Sequence, residues 1–411
     1  MFLNRKNAIV GQSGGPTSAI NSTLAGVIDA AIKSDHIDTL YGAFNGLQGM
    51  LDERICDLSS LFSSDEDILL LRQTPAAALG SCRLKLKEPD APEGKETYEK
   101  LFAFFEKQSI GYFFYIGGND SMDTVSKLSR YAEMNSIKGI NFIGVPKTID
   151  NDLVGTDHTP GFGSAAKYIA TTMLEILRDT AVYTVKAVTI VEIMGRDAGW
   201  LTASSALAGA VAGVSPDLIY LPESVFDLDT FISDVKKALD KHPNVVVAVS
   251  EGIRFADGRY VGEGTQSGVT DVFGHKYLQG TAKALEMEIK NAIGCKTRSV
   301  ELSLPQRCAA HITSYNDIEE SFGTGRAAVE FAKNNTASMV CMKRGEPYTI
   351  SYELGNVYEI ANKIKLMPPE YIDEKNAGVT DACIDYLMPL IQGEWNVIYK
   401  NGLPVHKTIE R

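Results

Sequence analysis

Nine short stretches of this chain are rich in β-branched and aromatic residues, and several are apolar from end to end. They are NAIV (7–10), YGAF (41–44), GYFFYIGG (111–118), INFIGVP (140–146), AVTIVEIMG (187–195), LIYLPE (218–223) and NVVVAVSEG (244–252), with weaker signals in TRSVELS (297–303) and SMVCMKR (338–344). A strand that alternates apolar and polar residues keeps one face in water. A strand without alternation has no face to spare, so it belongs in a sheet covered on both sides. Helix-like segments stand between them, among them SAINSTLAGVIDAAIK (18–33), SMDTVSKLSRYAEM (121–134) and SAAKYIATTMLEILRDTA (164–181). Strand, short loop, helix, strand is the grammar of right-handed crossovers and parallel sheets. At 411 residues the chain exceeds one ordinary core, so the pattern predicts an α/β protein of two doubly wound, Rossmann-like domains.

The first domain is expected over residues 1–160, rejoined by about 306–345; the second over 161–305, with the 346–411 tail packed on it. The charged, proline-bearing stretch 83–99 reads as a surface loop.

A net charge of −12 disfavours binding to nucleic-acid backbones, which attract basic surfaces. A locally basic pocket for small phosphorylated ligands is still allowed. Six scattered cysteines without CxxC or metal-ligand spacing suit free thiols in a reducing cytoplasm. The N-terminal apolar run is too short for a signal peptide, and no stretch approaches the roughly 20 apolar residues of a membrane span. A cytoplasmic protein with neither nucleic-acid nor membrane partners is expected.

In open α/β sheets, ligands bind beyond the carboxyl ends of the strands. The first strand runs into VGQSGGPTSAIN (10–21), a glycine turn opening a helix. Such a turn either cradles an anion on its N–H groups or is only a tight connection. Neither a GxxxxGK[ST] nor a GxGxxG motif is present. GGND (117–120) brings Asn119 and Asp120 to the next strand end, either as ligand contacts or as caps of the following helix. PKTIDND (146–152) concentrates Lys147, Asp150 and Asp152 at one strand end, where a metal-bound phosphate would balance the charges. Later strand ends supply Arg196 in IMGRDAGW, Glu251 in SEG, Arg298 in KTR and Arg307 in LPQR. Together they suggest a clamp for a phosphorylated substrate.

SGGPTSAIN, GGND, PKTIDND, MGR, SEG and QR occur here in the order found in phosphofructokinases, and the chain resembles that family over roughly residues 7–330. The resemblance implies an active site in the cleft between the two domains. ATP-using members carry glycine where this chain has Asp120 and again where it has Lys147; pyrophosphate-using members carry Asp and Lys there. A carboxylate at 120 would take the space and mimic the charge of a nucleotide's α-phosphate, while Lys147 could hold pyrophosphate. The chain therefore resembles the pyrophosphate-dependent branch. What this implies is reversible, magnesium-dependent (Mg2+) phosphoryl transfer from pyrophosphate to the 1-hydroxyl of fructose 6-phosphate, by a homo-oligomer, dimer or tetramer.

Carried over by position, the resemblance makes Asp150 the proton acceptor, with Thr148 and Asp152 beside it. Gly15 lies in the donor cradle and Arg83 near the donor phosphates. Met194, Gly195, Arg196 and Glu251 contact the sugar, and Arg307 with Arg298 binds its 6-phosphate. Three positions depart from the family pattern. Asn119 stands where the metal-binding residue is usually aspartate, so Asp152 or Asp120 would supply the missing charge. Ala187 replaces an arginine that reaches a neighbouring subunit in many ATP-using members, which leaves Lys186 as a substitute. Leu304 replaces a His or Tyr that touches the sugar phosphate. Two alternatives stay open: the same fold using ATP or sedoheptulose 7-phosphate, and a non-catalytic regulatory subunit, which Asn119 brings to mind.

Overall fold

The computed structural model describes residues 5–263 and 280–410. The larger of its two principal sheets has seven strands: β1 (Lys6–Gln12), β2 (Ile37–Ala43), β3 (Ile55–Asp57), β4 (Ile110–Gly117), β5 (Asn141–Pro146), β10 (Ser338–Gly345) and β11 (Thr349–Asn356). Their order is β11-β10-β5-β4-β1-β2-β3. The smaller sheet holds β6 (Ala187–Ile193), β7 (Leu218–Tyr220), β8 (Asn244–Ser250) and β9 (Lys296–Glu301), in the order β7-β8-β6-β9. The smaller sheet is wholly parallel; in the larger only the edges β3 and β11 pair antiparallel.

The absence of alternation has the expected cause. Every residue of β4 except Tyr112 is buried, and so is every residue of β6 and β8 except the first. The helix Tyr315–Ala332 lies tightly against Ile20–Ile32 because both carry glycine at the crossing. A Cβ on Gly26 would stand 2.0 Å from the Phe322 carbonyl oxygen, and one on Gly325 2.1 Å from that of Thr23. This crossing fixes the return of the chain to the first sheet.

Both sheets change winding direction at their middle. β1 pairs with β2 on one side and β4 on the other, and β6 lies between β8 and β9. The crevices at these switch points are where an open α/β sheet receives ligands.

The tail does not pack on the second unit as a whole. Thr349–Asn356 forms a hairpin with β10 and closes the edge of the seven-stranded sheet. Its burial alternates, as befits an edge strand, so it lacked the continuous apolar run that betrayed the others. Cys383, Leu387 and Leu390 do join the second unit's core, beside Ile169, Met173 and Trp200. The stretch 83–99 is only partly loop. A helix, Lys95–Lys107, begins inside it, anchored by buried Tyr98, and Leu86 is buried too. All six cysteines are free. No described helix is long and apolar enough to cross a membrane.

Candidate active site

A cleft of about 620 Å³ opens between the two sheets, lined from the carboxyl ends of β1, β4, β5, β6 and β8 and from the turn after β9. After β1, Gly14 takes a φ of 77°, a left-handed geometry that glycine adopts without strain. The turn is pressed against two cations. A Cβ on Gly14 would lie 3.3 Å from Lys147 Nζ, and one on Gly15 3.3 Å from Arg307 Nη1. Lys147 Nζ donates to the Gly15 carbonyl at 2.6 Å. Lys147 is only 3 % exposed, and burial pulls its pKa down to about 8 against the opposing charges of Asp150 and Asp152. Burial also lowers the pKa of Arg307, aided by the nearby charge of Arg83. Three cations around a glycine turn, sharing a cleft with carboxylates, make a receptor for a polyanion.

After β4, the helix Asn119–Met134 points its N-terminus at the cleft, with Asp120 in its first turn. Lys85 Nζ lies 3.6 Å from Asp120 Oδ1. Asn119 spends both ends of its amide on the tail: Nδ2 donates to the Lys363 carbonyl, and Oδ1 accepts from the Asn362 N–H, each at 2.6 Å.

After β5, the Thr148 hydroxyl donates to Asp150 Oδ2 at 3.2 Å. Burial raises the Asp150 pKa, while Thr148, Lys147 and Arg196 hold it back. Asp152 is pushed up to about 7, first by burial and then by the charge of Asp150. Across the cleft, the Met194 N–H donates to Gln306 Oε1 at 3.1 Å and the Gly195 N–H to Glu251 Oε1 at 3.4 Å. Burial, then Asp150, pushes Glu251 up to about 8. A base hydrogen-bonded by Thr148 and flanked by Lys147 and Arg196 has the makings of proton abstraction next to a phosphate site.

Gly15, Arg83, Asn119, Asp120, Lys147, Thr148, Asp150, Asp152, Met194, Arg196, Glu251 and Arg307 all line this one cleft, and Gly195 is bonded to it through Glu251. Arg298 is the exception. It lies in a separate depression with Lys296, Tyr183, Ala187 and Asn244, at the opposite, amino end of the smaller sheet. The sequence placed Arg298 near a strand end, but β9 runs on to Glu301 before it turns. Leu304 lines the cleft and is 56 % exposed, an apolar group in polar company. Sequence reasoning missed Lys85, Asp197, Asn362 and Ile364, which also line the cleft. The basic run RLKLK pointed to Lys85; nothing local pointed to the two tail residues.

Among the described residues, no group of three or more His, Cys, Asp or Glu side chains gathers as a metal cage. The amide of Asn119 is already engaged, which makes it a poor ligand. Asp120, Asp150 and Asp152 remain as carboxylates on the cleft wall; burial is the main cause of the raised pKa of the last two, and the charge of Asp150 adds to that of Asp152. That donor set fits a hard cation that keeps waters and shares phosphate oxygens with its ligand.

Residues 7–332 match the family described as phosphofructokinase. A protein of Halomonas elongata named pyrophosphate–fructose 6-phosphate 1-phosphotransferase is 43% identical over 408 residues, covering 98% of this chain and 96% of that protein. One of the same name from Methylococcus capsulatus is 41% identical over 410 residues, covering 98% and 96%. The crystal structure of a pyrophosphate-dependent phosphofructokinase from Nitrosospira multiformis superposes with a TM-score of 0.87 at 38% identity, covering 98% of this chain and 96% of that one. Motif order, two facing switch points and full-length likeness agree: the chain belongs to the phosphofructokinase family.

Proposed function

We propose that this chain transfers a phosphoryl group reversibly between pyrophosphate and the 1-hydroxyl of fructose 6-phosphate. The observation that carries the reading is Lys147, buried against the Gly15 carbonyl and facing Asp150 and Asp152. A lysine there binds a compact diphosphate through its two ends and needs no nucleoside anchor. In this reading Lys147 and Arg83 hold the donor and offset charge on the leaving phosphate. Asp150 removes the proton of the attacking hydroxyl, held in place by Thr148. Met194, Gly195, Arg196 and Glu251 orient the sugar, and Arg307 binds its 6-phosphate from beside the glycine turn. Asp152, with Asp120, would hold Mg2+, which neutralises phosphate oxygens when bound. Asn119 stays outside the metal's ligands.

The working form is a homo-oligomer, dimer or tetramer. Its support is the depression around Lys296 and Arg298, remote from the chain's own cleft and flanked by exposed Val182, Tyr183 and Val185. There Arg298 would serve a neighbouring copy.

The test is purified protein with fructose 6-phosphate and Mg2+, pyrophosphate against ATP, following fructose 1,6-bisphosphate. Turnover with pyrophosphate alone is expected. Turnover with ATP overturns the donor assignment. Turnover only with sedoheptulose 7-phosphate changes the sugar, and silence from folded protein favours a regulatory subunit.

A further inference from the structure

The tail segment Asn362–Met367 crosses the cleft as a strap, and it lies beyond residues 7–332 that match the family. At one end it is pinned to the helix after β4. Asn119 bonds both Asn362 and Lys363, and Asn362 Nδ2 donates to Asp123 Oδ1 at 2.8 Å. In the middle, Ile364 bridges to Leu153, and the Lys365 N–H donates to the Asp152 carbonyl at 2.8 Å. On the far side, the Lys365 carbonyl accepts from Trp200 Nε1 at 3.1 Å. The Met367 N–H donates to Glu223 Oε1 at 3.1 Å, and the same carboxylate oxygen holds the Gly199 N–H at 2.9 Å. The strap therefore touches the loops that leave β4, β5 and β6.

Its centre is the Lys365 ammonium. A protonated lysine has three N–H donors. All three find acceptors in a single loop: Asn151 Oδ1 at 3.1 Å, the Thr156 carbonyl at 3.3 Å and the Asp157 carbonyl at 2.7 Å. Asn151 is fully buried and left-handed, with a φ of 54°. It is the hinge between Asp150 and Asp152. Any drift of this residue swings both carboxylates. The Asn151 amide is held from two sides, by Lys365 and by the Tyr386 hydroxyl, which accepts from its Nδ2 at 3.2 Å. Both partners come from the tail.

We infer that Lys365 is a positioning residue for the reaction. Through Asn151 it fixes the left-handed turn that aims Asp150 and Asp152, and Asn119 serves this chain as the anchor of the strap that carries it. The inference rests on the proposed role of Asp150. It also explains why position 119 is an amide. An aspartate there could not donate to the Lys363 carbonyl and would face it with negative charge.

The experiment is a double-mutant cycle of Lys365→Met and Asn151→Gly on the full chain. Glycine keeps the left-handed conformation without the amide that Lys365 holds. Lys365→Met is expected to cut kcat by about 10²-fold, the cost of a misplaced reacting group. KM for the sugar phosphate should stay within about threefold, because its contacts are elsewhere. In the Asn151→Gly background the same substitution should cost little more. Wild-type kcat in folded Lys365→Met, or effects that simply multiply in the double variant, overturns the inference. If Lys365→Met does not fold, Asn119→Ala frees the other end of the strap and is read by hydrogen exchange. Faster exchange in both 362–367 and 151–157 is expected, and faster exchange in 362–367 alone overturns it. A wild-type chain that ignores pyrophosphate would refute the proposed donor, while the exchange arm would still read the strap.

Discussion

Lys147 donates to the Gly15 carbonyl at 2.6 Å, joining the loop after β5 to the turn after β1 across the intervening β4. The ammonium takes a neutral carbonyl as its hydrogen-bond acceptor and leaves its charge to the cleft. Burial lowers its pKa only to about 8, because Asp150 and Asp152 pull the other way. An incoming diphosphate supplies the negative charge that keeps it protonated.

Lys147→Met is accordingly expected to lower kcat with pyrophosphate by about 10²–10³-fold, as loss of one preorganised charge contact typically does. The apo protein should lose stability as well, since the substitution leaves the buried Asp150 and the Gly15 carbonyl without the ammonium. Steady-state kinetics and thermal unfolding of the same preparation check both halves. A variant that unfolds early and keeps its kcat contradicts the assignment.

Glu251 gives a pH dependence with a definite sign. Burial and Asp150 raise its pKa from 4.5 to about 8. The ionised carboxylate accepts a sugar hydroxyl more strongly than the neutral acid does, so binding below pH 8 expels a proton and weakens as pH falls. KM for fructose 6-phosphate should rise as pH drops from about 8.5 to about 6.5, by at most about tenfold per unit, and Glu251→Gln should bind weakly with a flat profile. For the apo protein, the folded state binds the extra proton between 4.5 and about 8. This group's contribution to stability is therefore present at low pH and lost as pH climbs through that window. A pH-independent KM in the wild type refutes the role.

Much of the site was legible because its residues sit where unbroken apolar strands stop. Lys147, Asp150 and Asp152 follow β5 within a few residues, and Arg196 follows β6, so strand order alone brought them together. Arg298 falls outside this chain's own cleft because it sits inside a strand whose end comes three residues later. Asn362, Ile364 and Lys365 could not be read at all. Asn362 and Lys365 are placed by hydrogen bonds to Asn119, Asp123 and Asn151, and Ile364 by its bridge to Leu153, partners more than 200 residues away. No local periodicity encodes such pairings. The edge strands β3 and β11 were missed for a related reason: half exposed, they lack the apolar run of buried strands.

Arg72 offers a stability test remote from the cleft. Its guanidinium lies 4.4 Å from the Phe322 ring centre and 4.5 Å from that of Trp395, and it pairs with Glu319 at 2.6 Å. The side chain is only 11% exposed, so these contacts are largely desolvated. Arg72→Ala should cost about 1–3 kcal/mol in urea unfolding, through lost stacking and an abandoned partner. Arg72→Lys should recover only part, since an ammonium cannot stack on two rings. Loss below about 0.5 kcal/mol would class the pair with ordinary surface contacts.

Asp120 tests how the nucleotide is refused. It occupies the first turn of Asn119–Met134, where a helix N-terminus otherwise attracts phosphate, and it pairs with Lys85 at 3.6 Å. Both side chains are well exposed, 40% and 51%, so the ion pair itself contributes little to stability. Its effect is on what else can bind. Asp120→Gly removes a fixed negative charge and its proposed share in holding Mg2+, so pyrophosphate turnover itself is expected to fall, and it leaves Lys85 and the helix N-terminus open to an additional phosphate. ATP should then inhibit pyrophosphate turnover competitively, at least about tenfold more strongly than in the wild type. Adding Lys85→Met should remove most of that gain, because the freed ammonium is what the extra phosphate would meet. If Asp120→Gly is no more sensitive to ATP than the wild type, Asp120 is not the residue that excludes the nucleotide. If the gain survives Lys85→Met, the helix N-terminus alone supplies the attraction.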